Sequence, residues 1–288
     1  MNDLPSAVDP ETKCRLFADD CLLYRSIDSL DDHVQLQRDL DSLQTWATDW
    51  GMTFNAKKCY VMSICKSPRK TWYMYQLAGL FLSVVNQEKY LGVLIADSLS
   101  WEPHMQQVSI SANQKLGFLK RNLKGSPTEL KLLAYIAMVS SSLEYASIIW
   151  DPHQSNHIDM LEDTQKKAAR WICNDHSRYS SVTKMLQQLN LEPLKERRRV
   201  ARLSYMYSIV NKKVAVPRGE VGVVLNPRAT RGNATTDKLV VPTCNTTELQ
   251  KHFVARTVPE WNRLLDSVTS ADSVSSFKSQ LQGPTSRP

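Results

Sequence analysis

Asp19 and Asp20 are adjacent carboxylates that lie between two short apolar runs, residues 14–17 and 21–24. Apolar runs on both sides of a short polar break predict a β-hairpin with the two acidic residues at its tip. Neighbouring carboxylates repel each other, so each ionises less readily unless the pair shares a cation. Hard oxygen ligands of this kind suit Mg²⁺ or Mn²⁺. Taken alone, the pair is a weak signal that fits an ordinary polar turn better than a metal site.

The second part of the chain carries basic side chains that could bind nucleic acid. Residues 101–288 contain 26 Lys and Arg against 16 Asp and Glu, whereas residues 1–100 contain 10 against 13. Basic side chains neutralise phosphates, and aromatic rings such as Trp171, Tyr205 and Tyr207 can stack on bases. Along two predicted helices the basic candidates are Lys166, Lys167, Arg170, Arg197, Arg198, Arg199 and Arg202. Alternatively, the aromatic residues are core and the arginines only face solvent.

The elements that must position the acidic pair belong to a mixed unit, residues 1–97. After the hairpin, Ser29 and Asp32 form a capping pattern for a helix whose apolar stripe extends to Trp50, and Gly51 ends it. Strands are predicted at 58–64, 72–77, 80–85 and 89–95. Strands with one helix packed on a face indicate an α+β fold.

Residues 98–212 are predicted to be mainly helical. The helices are expected at about 101–123, 126–150 (with Ser126 as cap and Pro127 in the first turn), 158–172, 182–189 and 193–210. Residues 213–288 are predicted to be rich in loops, with one short helix at 252–265 and a disordered tail after Ser267.

Several classes of protein are excluded by what the sequence lacks. It contains no run of eighteen apolar residues and no apolar leader, so no membrane partner is expected. Its six cysteines lack paired spacing, which indicates reduced thiols inside the cell. The expected location is the cytoplasm and nucleus. A zinc site at His153, His157, Cys173 and His176 is a weak alternative.

Residues 16–24, Leu-Phe-Ala-Asp-Asp-Cys-Leu-Leu-Tyr, resemble motif C in the palm of reverse transcriptases, and most closely those of non-LTR (LINE-type, jockey-like) retrotransposons. Further segments resemble the same family in the same order. They are residues 2–5 before motif C, residues 50–58 as motif D, residues 90–93 as the hairpin after it, residues 150–153 and 161–170 in the following helical region, and residues 255–262 near the C-terminal end.

The resemblance implies a partial palm followed by a helical thumb and C-terminal region, and RNA-directed DNA synthesis on RNA and DNA partners. It implies that Asp19 and Asp20 bind Mg²⁺ or Mn²⁺, in the two-metal arrangement that acts on phosphates. Lys58 would protonate the pyrophosphate leaving group, with Lys57 as the alternative. Tyr90 and Gly92 would hold the primer end, unless they belong to a core strand with a bulge.

In that family motif A, motif B and the fingers precede motif C, whereas eighteen residues precede Asp19 here. We therefore expect a truncated polymerase that is inactive alone and that needs the missing N-terminal portion as a partner. The alternatives are a non-catalytic basic module that binds nucleic acid, and a relic open reading frame.

The first prediction concerns catalysis by these 288 residues. We expect no template-directed incorporation of deoxynucleotides on a primed poly-rA template, in Mg²⁺ or Mn²⁺, because one carboxylate pair does not complete a two-metal site. Primer extension that disappears in Asp19→Asn would contradict this expectation.

Overall fold

The computed structural model describes residues 3–65, 73–226 and 238–282. The chain divides into two units, residues 1–100 and residues 101–288. The division into three parts at 97 and 212 stays a prediction. Of the strand predicted at 72–77, Trp72 lies outside the described residues, and only Gln76–Leu77 form a strand.

The first unit combines one long helix with short strand pairs, which agrees with a mixed α+β class. Its helix is α1, Leu30–Asp49. Its strands are β1 (Lys13–Phe17), β2 (Asp20–Tyr24), β3 (Tyr60–Val61), β4 (Gln76–Leu77), β5 (Leu80–Phe81), β6 (Ser83–Val84), β7 (Gln87–Tyr90) and β8 (Val93–Ala96). Single 3₁₀ turns occupy Leu4–Ala7 and Ala56–Lys58. The pairs β1–β2, β4–β5 and β7–β8 are antiparallel, while β3–β6 is parallel.

The single strand predicted at 89–95 is instead a hairpin, formed by β7 and β8. The chain reverses at Leu91 and Gly92, whose φ angles are 47° and 83°. Two central residues with positive φ form the mirror-type turn that matches the twist of paired strands. The prediction of one strand was wrong because apolar alternation continues through the turn and hides it.

Helix α1 begins as its sequence predicts. The Ser29 hydroxyl accepts a hydrogen bond from the Asp32 amide at 3.4 Å, and the Asp32 carboxylate accepts one from the Ser29 amide at 2.9 Å. Leu43 and Ala47 are buried on its inner face, whereas Trp50 is 62% exposed. Trp50 leaves the predicted apolar stripe because it is the cap residue at which the backbone departs from the helix.

Both ends of the β1–β2 hairpin are anchored by polar contacts. Thr12, directly before β1, donates from its hydroxyl to Asp39, a residue of α1 that is 2% exposed. Arg25, directly after β2, pairs with Asp9 at 2.9 Å and with Glu11 at 2.8 Å. A buried carboxylate needs such partners to offset the loss of water. These contacts fix the base of the hairpin and therefore the direction of its tip.

The second unit is mainly helical in its described residues, with one isolated β-bridge between Leu225 and Leu239. Its helices are α2 (Glu102–Asn122), α3 (Thr128–Ala134), α4 (Ser141–Glu144), α5 (Ser147–Trp150), α6 (Ser155–Ile172), α7 (Val182–Gln188), α8 (Leu194–Val210), α9 (Thr247–Lys251), α10 (Phe253–Trp261), α11 (Asp266–Thr269) and α12 (Val274–Gln282). A π-helical turn, Tyr135–Ser140, joins α3 to α4. No helix among the described residues is long and apolar enough to cross a membrane.

The helix predicted at 126–150 is interrupted. Pro127 is the N-cap residue of α3 and no side-chain cap is present, so Ser126 does not act as predicted. After the π-helical turn and α4, Ala146 adopts a φ of 52° and separates α4 from α5. A left-handed residue cannot continue a right-handed helix, which explains the break.

Within the tail predicted to be disordered, residues 274–282 form a helix, while residues 283–288 lie outside the described residues. Phe277 on α12 is fully buried, and its ring stacks on Tyr207 of α8 at 4.6 Å between centroids. Trp261 of α10 lies on the same ring at 5.8 Å. One aromatic residue in a Ser-rich stretch thus joins the last helix to the core, a contact that composition does not reveal.

We predict that Phe277→Ala lowers the free energy of unfolding of the second unit by about 3–5 kcal/mol, because it leaves a cavity between three helices. Urea denaturation followed by circular dichroism measures this change. Leu265→Ala is the control: Leu265 is 72% exposed, and the change should stay within about 0.5 kcal/mol. Equal effects of the two substitutions would show that α12 does not stabilise the core.

Candidate functional site

The predicted hairpin carries the acidic pair at its tip. Phe17 and Asp20 form the last residue pair of the β1–β2 ladder, so Ala18 and Asp19 make the turn. Ala18 has a φ of 52°, and both aspartates are exposed. The left-handed region costs a non-glycine residue about 1–2 kcal/mol. The hairpin therefore holds this tight turn against a local backbone preference, and it presents two neighbouring carboxylates.

Two further parts of the first unit approach this hairpin. The sulfur atoms of Cys14 and Cys21 lie 3.6 Å apart across the strands. The pKa of Cys21 is raised to about 12, chiefly by burial of the thiol and to a smaller extent by Cys14 and Cys59. Burial also raises the pKa of Tyr90, with a smaller contribution from the charge of Asp20. The turn that ends at Cys59 and the strand that ends at Tyr90 therefore both lie near the acidic hairpin.

Lys58 lies in the exposed 3₁₀ turn that leads to Cys59. Its amide donates to the Asn55 carbonyl at 2.9 Å, and Lys57 beside it is equally exposed. The structure therefore places both lysines on the segment that approaches the hairpin, and it does not choose between them as the general acid.

Tyr90 precedes the turn of the β7–β8 hairpin, and Gly92 belongs to that turn. Tyr90 pairs with Val93 and is half-buried, whereas Gly92 is exposed in the turn itself. The alternative of a bulged core strand therefore gives way to a hairpin. Only Tyr90 of this pair is shown to lie near Asp20.

The donor set at the hairpin tip fits part of a site for a hard cation. Two exposed carboxylates supply oxygen ligands of the kind that Mg²⁺ and Mn²⁺ prefer. Among the residues that the structure describes, no group of three or more His, Cys, Asp and Glu side chains gathers to hold a metal. The same finding disfavours the zinc alternative at His153, His157, Cys173 and His176. Asp19 and Asp20 alone would thus leave most coordination positions to water and phosphate.

In the second unit, several predicted phosphate contacts are instead part of a buried ion network. Asp151 is its centre, with side-chain exposure of 8%. Its carboxylate contacts Arg198 at 3.1 Å, Arg202 at 2.9 Å and Arg256 at 3.0 Å. Arg202 also contacts Glu260 at 2.5 Å. Because Arg198 and Arg202 are buried, the prediction that these two side chains contact phosphates was wrong.

Apart from its contact with Asp151, the Arg198 side chain is enclosed by the protein. Both of its terminal nitrogens are buried and have no hydrogen-bond partner among the described residues. Burial accordingly lowers the pKa of this guanidinium, and the charge of Asp151 opposes that change. A charged group in this position depends on its carboxylate partner, because an unpaired buried charge is strongly destabilising.

The two neighbouring arginines of α8 are partly exposed, and each is paired with a carboxylate. Arg197 pairs with Glu144 at 2.6 Å, and its side chain is 30% exposed. Arg199 pairs with Glu196 at 2.6 Å and with Glu260 at 3.2 Å, and its side chain is 36% exposed. Each would have to leave a carboxylate before binding a phosphate, so α8 is a poorer basic surface than its sequence indicates.

The basic residues of α6 differ from one another. Lys167 is exposed and lies near Lys120 of α2, whose pKa is lowered by burial and then by the charge of Lys167. Lys166 is exposed and pairs with Asp163 at 3.1 Å. Arg170 donates at 2.7 Å to a backbone carbonyl of the loop after α6, which gives it a structural contact. Lys167 is therefore the α6 cation best placed to meet a polyanion.

The aromatic residues of these helices belong to the core rather than to a stacking surface. Trp171 and Tyr207 are 7% and 1% exposed. The ammonium of Lys131 lies 5.7 Å from the centroid of the Trp171 ring. This outcome matches the alternative reading of the sequence, in which aromatics at helical spacing pack inward.

Sequence reasoning did not identify Asp151 and Glu260 as the partners of the α8 arginines. A signal was present: Arg198 and Arg202 are four residues apart and share a helix face with Leu194, which is fully buried. Neither carboxylate could be assigned as a partner, since Asp151 lies 47 residues from Arg198 and Glu260 lies 58 residues from Arg202.

We predict that Asp151→Asn lowers the free energy of unfolding by about 3–5 kcal/mol, because three guanidinium groups lose a buried counter-charge. The matched control is Glu196→Gln, which makes the same change at a half-exposed pair and should cost at most about 1 kcal/mol. Urea titrations at neutral pH compare the two variants. A destabilisation by Asp151→Asn no larger than that of the control would mean that the network does not hold the unit together.

Comparison with known proteins connects these observations. Residues 1–95 match the family described as reverse transcriptase (RNA-dependent DNA polymerase). The RNA-directed DNA polymerase from the mobile element jockey of Drosophila funebris is 26% identical over 180 residues, 60% of this chain and 19% of that protein. The probable RNA-directed DNA polymerase from transposon BS of Drosophila melanogaster is 26% identical over 200 residues, 67% of this chain and 21% of that protein.

A third relative, the probable RNA-directed DNA polymerase from transposon X-element of Drosophila melanogaster, is 26% identical over 164 residues, 54% of this chain and 18% of that protein. The aligned part of the chain thus spans about a fifth of the length of these relatives. No solved structure matches. The resemblance to reverse transcriptases of non-LTR mobile elements is confirmed: residues 1–95 match the reverse transcriptase family, and the chain is similar to RNA-directed DNA polymerases of mobile elements.

Proposed function

We propose that residues 1–97 form part of the palm of a retrotransposon RNA-directed DNA polymerase, in which Asp19 and Asp20 hold a divalent metal ion. The observation that carries the proposal is the hairpin tip, with two exposed carboxylates on a tight turn inside the matched family region. Mg²⁺ or Mn²⁺ bound there would stabilise the charge that develops on the phosphates during nucleotide transfer. A further carboxylate from outside the described residues would complete the site.

The neighbouring residues have supporting roles in this proposal. The Lys58 ammonium donates a proton to the leaving pyrophosphate, a role that Lys57 could fill instead. Tyr90, half-buried near Asp20, limits the space beside the pair and contacts the primer end together with the Gly92 turn. Gly92 lets a strand of nucleic acid approach the backbone closely.

The second unit binds the template and the growing strand in the same proposal. Its net positive charge favours RNA and DNA partners, and we assign phosphate contact to Lys166 and Lys167. Arg197 and Arg199 stay paired with their carboxylates. Arg170 keeps its structural contact. The division of this part at residue 212 into a thumb region and a C-terminal region belongs to the proposal as well.

A second candidate is a non-catalytic module that binds nucleic acid. It is favoured by one observation, that no third metal ligand joins the acidic pair among the described residues. The two candidates differ at the hairpin, because a purely binding module has no need of metal affinity at Asp19 and Asp20.

Fe²⁺-directed cleavage of the chain tests the metal site without requiring polymerase activity. Fe²⁺ replaces Mg²⁺ at oxygen-ligand sites, and with ascorbate and peroxide it generates radicals that cut the nearby backbone. We expect cleavage between residues 15 and 25, mapped by mass spectrometry, that excess Mg²⁺ suppresses. It should be lost in the double variant Asp19→Asn, Asp20→Asn.

Asp31→Asn is the matched control, since Asp31 is an exposed acidic residue of α1 in the same unit. This substitution should leave cleavage at the hairpin unchanged. Absence of cleavage near the hairpin, or cleavage that persists in the double variant, would remove the metal role and favour the binding module.

A further inference from the structure

We propose that Cys14 and Cys21 form a reversible disulfide across the β1–β2 hairpin, and that this bond weakens metal binding at the hairpin tip. Both residues are free cysteines in the structure. The covalent part of the inference depends on the two thiols alone. The effect on the metal rests on the proposed function, because it requires Asp19 and Asp20 to hold a divalent ion.

The register of the hairpin places the two thiols on one face of the strand pair. Cys14 is opposite Leu23, and Cys21 is opposite Leu16. Residues directly opposite each other share a face, and so do alternate residues of one strand. Cys14 and Cys21 are therefore diagonal neighbours, and their sulfur atoms lie 3.6 Å apart.

Both cysteines are accessible to a small molecule. Cys14 is half-buried, and Cys21 is exposed as a residue although its sulfur is partly desolvated beside Cys14. The raised pKa of Cys21, caused chiefly by burial of the thiol, slows any step in which its thiolate attacks. The short distance between the sulfur atoms offsets this effect, because a step within one molecule needs no encounter between reactants.

The oxidant in this proposal is a small-molecule disulfide such as oxidised glutathione. One protein thiolate attacks a sulfur of that disulfide, which forms a mixed disulfide and releases one glutathione thiolate. The second protein thiol then attacks the protein sulfur of the mixed disulfide and releases the other glutathione. Two electrons pass from the protein to the oxidant, and the two thiol protons end on the two released glutathione molecules. Excess reduced glutathione reverses both steps.

Closing this bond moves the backbone of the hairpin. Bonded sulfur atoms are about 2.05 Å apart, and the Cα atoms of a disulfide are usually about 4.4–6.8 Å apart. Diagonal neighbours in an antiparallel pair have Cα atoms about 7–8 Å apart. Rotation of the side chains alone therefore does not suffice, and the two strands must approach or slide along each other before the bond forms.

The movement reaches the acidic pair because the other end of the hairpin is held. Contacts of Thr12 and Arg25 fix the base. Asp20 directly precedes Cys21, and it pairs with Phe17 at the end of the ladder. A metal site needs its ligands within about 0.5 Å of the productive geometry. We therefore expect the reduced hairpin to bind the metal ion and the oxidised hairpin to bind it weakly.

Peptide mapping of the full chain detects the bridge. The chain is incubated with oxidised glutathione, its remaining thiols are blocked with N-ethylmaleimide, and it is digested with trypsin without reductant. Trypsin cuts after Lys13, Arg15 and Arg25, so the bridge links the dipeptide 14–15 to the peptide 16–25. We expect this linked product, which reduction removes, to exceed any link between peptide 16–25 and peptide 59–66 by about tenfold.

Two cysteine variants control the mapping. Cys14→Ser should abolish the linked product. Cys59→Ser is the matched variant, because Cys59 also contributes to the raised pKa of Cys21 and so lies near the same thiol. It should leave the linked product intact. If Cys14→Ser fails to fold, Cys14→Ala replaces it.

Mn²⁺ binding measures the consequence of the bridge. Electron paramagnetic resonance of free Mn²⁺ gives the dissociation constant of the full chain in its reduced and bridged forms, after the reductant or oxidant is removed. We expect the bridge to raise this constant by about tenfold and reduction to restore it. In Cys14→Ser, treatment with oxidised glutathione should change the constant by less than about twofold.

The outcomes separate this inference from the proposed function. A peptide map in which Cys21 links mainly to Cys59, or keeps glutathione without closing onto Cys14, would overturn the bridge. With Mn²⁺ binding intact, that result leaves the proposed function in place. A bridge that forms without changing the dissociation constant would overturn its effect on the metal. A reduced chain that binds no Mn²⁺ would remove the proposed function and the metal effect together, while the map still decides the bridge.

Discussion

Asp151 faces three guanidinium groups from two helices, and this buried contact determines which cations of the second unit remain accessible. Arg198, Arg202 and Arg256 converge on its carboxylate. Burying an ion costs several kcal/mol, which a partner at short range offsets. Arginines held in this way cannot also neutralise phosphates at the surface. The chain therefore has a basic composition whose strongest Arg cluster acts inward, and exposed cations such as Lys166 and Lys167 lie outside that cluster.

In the first unit, polar contacts at the base of the β1–β2 hairpin hold the acidic pair in place. Thr12 and Arg25 anchor the two ends of the β1–β2 hairpin, and Ala18 accepts a left-handed backbone at its tip. Anchored ends and a tight turn leave the two aspartates little freedom, as a preorganised metal site requires. The approach of Tyr90 and of the segment at Cys59 gives the hairpin neighbours on more than one side. In the proposed function, this arrangement supplies one part of a two-metal centre.

Local patterns predicted the elements of this fold better than they predicted contacts. The hairpin at Asp19 and the cap at Ser29 follow from the types and spacing of adjacent residues, and both form. The burial of Arg198 does not follow, because an arginine four residues from another fits a solvated face as well as a core pair. Its partner lies 47 residues away. Similarly, one distant ring contact orders the helix at Phe277, which its Ser-rich surroundings could not indicate.

The central claim is that exposed lysines, and not the carboxylate-bound arginines of α8, contact phosphates. The salt dependence of binding to an RNA–DNA hybrid tests this claim most directly. Each phosphate contact contributes about 0.9 to the slope of log affinity against log salt on a B-form duplex, and we expect a similar order here. We predict that Lys120→Gln with Lys167→Gln makes the slope shallower by up to about 1.8. Arg197→Gln with Arg199→Gln should leave it nearly unchanged, since both arginines are held by carboxylates. A shallower slope for the double arginine variant, with no change for the double lysine variant, would contradict the claim that the lysines are the phosphate contacts.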